Sequence, residues 1–152
     1  MILPWMPLMW AAGPALPPLL PPQQEERRPE PPPSFLAFLA RFKEDRVFQR
    51  DHVQYPLKVE CWGPGESSSL EWSREDLVKI QRSSAGLIHT ERVMRRHQDA
   101  HPDPWSQGVA SATATRVVFV QGSRDACTWT REYVFERAGD TWKLVAYRSG
   151  GG

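Results

Sequence analysis

The prolines divide this chain into a part that cannot build a core and a part that can. Of 15 prolines, all but Pro56, Pro64, Pro102 and Pro104 lie at or before Pro33. Each proline removes a backbone donor and crowds the helical turn before it. Regular structure is therefore expected only from residue 34 onward. Residues 34–149 form a stretch close to the commonest size of a single domain. Hydrophobic content of 40%, with 7 tryptophans, suffices for a core that needs no metal and no set of disulfides.

Residues 1–22 are apolar but broken by proline. They do not read as a transmembrane helix, because lipid cannot replace the lost backbone partners. The apolar run and the small residues Ala11, Ala12 and Gly13 fit the remnant of an export signal. The first basic residue, Arg27, comes too late for a signal's basic start. A disordered Pro-rich tail is the alternative. The expected location is periplasmic or secreted, with cytoplasmic as the other reading. Residues 23–33 are charged and Pro-rich, and read as a linker: a spacer, or a polyproline ligand for a partner domain. Residues 150–152, all glycine, read as a flexible tail.

Within the folded stretch, Ser34 is expected to cap a helix. Phe35, Leu36, Phe38, Leu39 and Phe42 would form its apolar face. Asp45 is placed to cap a second short helix carrying Val47 and Phe48. Leu57, Val59 and Cys61 alternate as a strand after Pro56. Gly63 to Ser69 reads as a loop. Ser73, with Asp76 three residues on, marks a capping box and a helix through Ile80. Residues 83–108 give no clear pattern. Val109 to Val120, Thr128 to Arg137 and Thr141 to Arg148 read as three long strands of an antiparallel meander. Turns at Gln121–Asp125 and Ala138-Gly139-Asp140 would join them. Helices first and strands last imply an α+β fold, with N-terminal helices packed in a curved antiparallel sheet.

Two stretches carry a family resemblance. Phe38-x-x-x-Phe42-Lys43-x-Asp45-x-x-Phe48-Gln49, followed by Tyr55-Pro56-Leu57, resembles the opening of a family of uncharacterised exported bacterial proteins. That family lies in the nuclear-transport-factor-2-like superfamily, also called SnoaL-like or cystatin-like α+β cones. Tyr133-Val134-Phe135 through Gly139-Asp140-Thr141-Trp142-Lys143-Leu144 is similar to that superfamily's last hairpin. The resemblance implies a bent sheet wrapped around an N-terminal helix, often with a pocket between them. It implies no single activity, because the superfamily holds both enzymes and binding modules. Phe38 and Phe42 are expected to lie against Trp129 and Tyr133.

The candidate ligand face is Trp129, Arg131 and Tyr133 on one strand, with Arg116 posing the same question on another. An arginine among aromatics either meets an anionic ligand or an acid, or packs its stem and sends its head to solvent. Cys61 and Cys127 are a candidate disulfide if the chain is exported. His97 and His101 have helical spacing but run into Pro102 and Pro104, so no metal site is expected. His52 and His89 read as lone histidines. No general base, serine elbow or phosphate loop stands out, and no cofactor is implied.

A formal net charge of +1, with acids and bases interleaved, excludes a nucleic-acid face. The expected function is a non-catalytic binding or interaction module for an unknown small molecule or protein. Such a module could dimerise through its sheet face. The alternative is a small-molecule isomerase or dehydratase, or a small-anion carrier, using the cone. A filled cone would count against both alternatives.

Overall fold

The computed structural model describes Gly13 and residues 29–84, 86–100, 105–123 and 130–151. The first helix, α1 (Pro33–Glu44), starts before the expected Ser34 cap. Pro32 takes the N-cap position and Pro33 the first helical one, where proline's fixed φ suits the turn and its missing N–H costs nothing. α1 buries Phe35, Phe38, Leu39 and Phe42, while Leu36 faces solvent. α2 (Arg46–Asp51) is capped as expected: the Asp45 carboxylate accepts from the Val47 and Phe48 amides at 3.0 and 2.9 Å.

Among the described residues six strands follow: β1 (Val53–Gly63), β2 (Glu66–Trp72), β3 (Trp105–Ala112), β4 (Arg116–Ser123), β5 (Thr130–Ala138) and β6 (Thr141–Gly150). Between β2 and β3 run α3 (Arg74–Arg82) and α4 (Glu91–Ala100). The strands form one curved sheet in the order β2-β1-β6-β5-β4-β3. The α+β class and the N-terminal helix against a curved sheet are as expected. The sheet is mixed, however, rather than wholly antiparallel. β1 and β6 pair in parallel, with Val59 opposite Tyr147 and Cys61 opposite Ser149. No hairpin links these two strands, so local turn geometry does not dictate their relative direction. Pro56, which has no N–H to give, falls where the β1–β6 register slips between Val53 and Lys58.

Two further boundaries differ from the sequence reading. Ser67 to Ser69 belong to β2 rather than a loop, because Gly65 at φ +76° turns the chain back within a tight hairpin. The expected strand from Val109 to Val120 is broken into β3 and β4, so the meander has four strands. Thr113 makes that turn. Its amide donates to the Arg116 carbonyl at 2.8 Å, and its hydroxyl accepts from the Arg116 amide at 3.0 Å. A hydroxyl-built turn carries no glycine or proline to announce it. The Ser73–Asp76 capping box and the Ala138-Gly139-Asp140 turn are where the sequence places them.

The core lies between α1 and the concave face of the sheet. Phe35 meets Phe135 and Trp142 edge-on, with ring centroids 5.3 and 5.2 Å apart. Phe42 meets Phe135 at 5.2 Å. The helix face thus rests on Phe135 and Trp142; the expected Trp129 lies outside the described residues. Burying a phenylalanine side chain contributes roughly 2–3 kcal/mol, so this aromatic contact is the main anchor of α1. The helices are tied to one another by amides. Gln49 donates to the Phe42 carbonyl at 2.7 Å, and Gln81 donates to Gln49 and to the Arg46 carbonyl at 2.8 and 2.9 Å. No helix among the described residues is long and apolar enough to cross a membrane.

Candidate functional site

The polar chemistry of the interior gathers where the inner faces of β4 and β5 meet the segment between α3 and α4. Inward positions on β4 are Val117, Phe119 and Gln121. Opposite them on β5 are Phe135, Tyr133 and Arg131. The sequence reading put Gln121 in a turn. It instead continues the inward alternation of β4 and is fully buried. Its side-chain oxygen accepts from the His89 amide at 2.9 Å, and its nitrogen donates to the His89 carbonyl at 2.9 Å. The same nitrogen reaches Gln107 at 3.0 Å, and Gln107 donates to Glu91 at 2.9 Å. Glu91 pairs with the buried Lys43 of α1. Lys43 also sits 5.6 Å from the centroid of the Phe119 ring.

Tyr133 is fully buried, and its hydroxyl donates to the Leu87 carbonyl at 2.8 Å. Burial pushes this phenol well above its ordinary value of 10, Tyr147 adds to the effect, and Arg131 opposes it. The imidazole of His89 is only 6% exposed. Burial first, then the charge of Arg131, then His97, hold its pKa down to about 4 from 6.5. The His97 ring lies 5.2 Å from that of His89. Glu91 is held below the ordinary carboxylate range, chiefly by its hydrogen bond from Lys43.

The predicted site residues are only partly brought together. Arg131 is half-buried beside Tyr133 and His89, on the inward face the alternation predicts. Arg116 is exposed at the opposite end of β4, paired in register with Glu136, and takes no part. Trp129, Cys127 and His101 lie outside the described residues. Cys61 is half-buried on β1, in register with Ser68 and Ser149. His97 lies on α4, and no group of three or more metal-ligating side chains occurs among the described residues.

Of the buried groups with displaced pKa values, Tyr133 is sealed in the core, while His89 borders a small cleft. Trp142, Tyr133, Phe35, Phe42, Phe135 and Leu144 fill the concave space. A cleft of about 120 Å³ lies to one side, bounded by α1, α2, the end of α3 and the segment after it. Its walls include Lys43, Arg46, Gln49 and Gln81, whereas Arg131 and Tyr133 do not line it.

The outer face of the sheet is different in character. Across it run a row of Val118, Val134 and Ala146, and a charged row in which Arg148 approaches Glu60 at 3.0 Å and Glu132 at 3.5 Å. The Nε–Glu60 approach is a charge contact without hydrogen-bond alignment. Next to it, Trp62 lies flat on the backbone of Gly150 and is 38% exposed.

The architecture is an α+β cone, with α1 across the concavity of a curved mixed sheet and β1 alongside β6. No protein-family model matches the chain, and no curated protein matches its sequence. Solved structures do resemble it. A nuclear-transport-factor-2-like protein from Bacteroides fragilis aligns at 12% identity and a TM-score of 0.49, covering 84% of this chain and 50% of its own. This chain thus spans half the length of that protein. One of unknown function from Shewanella baltica aligns at 11% identity and a TM-score of 0.45, covering 76% of this chain and 89% of its own. A cystatin-like fold from Nostoc punctiforme aligns at 9% and 0.39, covering 78% and 89%. These likenesses bring neither an activity nor a ligand to this chain.

Proposed function

We propose that the protein is an exported, non-catalytic interaction module that works through the outer face of its sheet, with a second copy of itself as partner. The observation that carries this reading is the filled cone. Fully buried aromatics occupy the space where a substrate would sit, and the Tyr133 hydroxyl is committed to the Leu87 carbonyl. An enzyme of this shape needs a cavity with a reactive group facing it. The outer face supports the choice of surface. Val118 and Ala146 on it are small, apolar and partly exposed on either side of the buried Val134, its Glu60–Arg148–Glu132 row supplies charges of both signs, and Trp62 is partly open to contact. A face of this kind can meet its own copy across a two-fold axis.

Light scattering on the purified chain tests the pairing. The wild type is expected to dimerise, and Val118→Arg or Ala146→Arg to give folded monomers with unchanged circular dichroism. A wild type that stays monomeric at high concentration defeats the proposal. Export is tested by the intact mass of protein recovered outside the cytoplasm, which should lack the apolar residues 1–22. Recovery only of cytoplasmic protein retaining Met1 would argue against it. The alternative, an isomerase, dehydratase or small-anion carrier, draws on the convergence of Arg131, His89 and Tyr133. It requires that a small anion shift the resonances of these residues and that Arg131→Leu abolish the shift.

A further inference from the structure

The stretch from Gly86 to Thr90 is neither helix nor strand, yet Leu87, Ile88 and His89 are buried within it. Buried backbone outside regular structure must still find hydrogen-bond partners, and side chains can supply them. Here two side chains supply them. The Gln121 carboxamide both accepts from the His89 N–H and donates to the His89 carbonyl, each at 2.9 Å. The Tyr133 hydroxyl donates to the Leu87 carbonyl at 2.8 Å. Leu87 and Ile88 join the apolar cluster that contains Phe119 and Tyr133.

This is how a receptor holds an extended amide ligand. A carboxamide reads one residue's donor and acceptor, a phenol reads a neighbouring carbonyl, and apolar walls take the side chains. The reading groups belong to the rigid strands β4 and β5, and Gln107 and Glu91 fix the carboxamide from behind. The segment they hold is less firmly built. It enters through Gly86 at φ +59°, and Ser83 and Ser84 before it are exposed. The cleft of about 120 Å³ lies against it, so it is not tightly packed on that side.

We propose that Gly86–Thr90 is a built-in occupant of a latent binding chamber, whose external ligand is an extended peptide with an apolar side chain beside the amide that Gln121 reads. The chamber is separate from the outer-face contact, and its failure leaves that reading untouched. At rest the cone is filled by its own chain. A competing peptide gains access when this segment swings out, which makes the chamber a minor state that a ligand can select.

Two measurements on the full chain test the proposal together. Native-state hydrogen exchange should show the His89 amide, which donates to Gln121, opening at least tenfold more often than the amides of Phe135 and Leu144. N-acetyl-Leu-Ile-His-amide should then bind a Leu87→Ala/Ile88→Ala variant, shifting the Gln121 side-chain and Tyr133 resonances. Adding Gln121→Leu should abolish that binding. If His89 exchanges only with global unfolding, the segment is not releasable and the proposal falls, with no variant needed. Absence of peptide binding, or binding that does not depend on Gln121, overturns it equally.

Discussion

His89 should make this protein lose stability at mildly acidic pH. The folded state holds this imidazole neutral, with a pKa near 4, while the unfolded chain protonates it at 6.5. Above 6.5 neither state carries the proton and there is no penalty. Between 6.5 and 4 only the unfolded chain takes it up, so unfolding is favoured progressively as the pH falls. From pH 7 to pH 5 the linkage amounts to about 2 kcal/mol. Burial is the main cause, followed by the charges of Arg131 on β5 and of His97 on α4, whose ring lies 5.2 Å away. Urea unfolding of the wild type and of His89→Asn, each at both pH values, isolates the effect. Asparagine keeps a polar side chain and does not titrate. The wild type should lose about 2 kcal/mol more than the variant over that interval. Equal losses in the two proteins would show that the imidazole is not held neutral by its surroundings.

Further perturbations probe other contacts. Tyr133→Phe leaves the Leu87 carbonyl without its donor and should cost about 1–3 kcal/mol in chemical denaturation. Phe42→Ala opens a void against Phe135 and should cost about 3–5 kcal/mol, read in the same way. Gly150→Ala puts a methyl group into the space held by the Trp62 ring, so it should cost about 1–3 kcal/mol. Trp62→Ala in the same chain should recover most of that loss. Ser73→Ala removes the hydroxyl that accepts from the Asp76 amide and should lower stability by about 1 kcal/mol.

Features governed by neighbours in sequence were legible in advance. The Asp45 cap, the Ser73–Asp76 box, the Gly139 turn and the aromatic face of α1 depend on spacing within a few residues. What depends on distant partners was not. The parallel pairing of β1 with β6 follows from no local rule, and Thr113 turns the chain with a hydroxyl where glycine or proline would be looked for. At the candidate site, the inward direction of Arg131 and Tyr133 followed from strand alternation. Gln121 was missed because a polar residue at the end of an apolar run resembles a turn. The signal was there in the period of two from Val117 through Phe119. Its partner, the main chain at His89, lies 32 positions away and leaves no mark in composition.

The adjacency of β1 and β6 has a consequence for how the chain matures. A nascent polypeptide leaving the ribosome exposes β1 and β2 long before β6 is made. Until then the β1 edge that β6 will cover has no mate, and the phenylalanines of α1 lack Phe135 and Trp142 to rest on. Completion must wait until β6 has been made, which favours late, all-at-once closure and leaves the early hairpin open to misassociation in the interval.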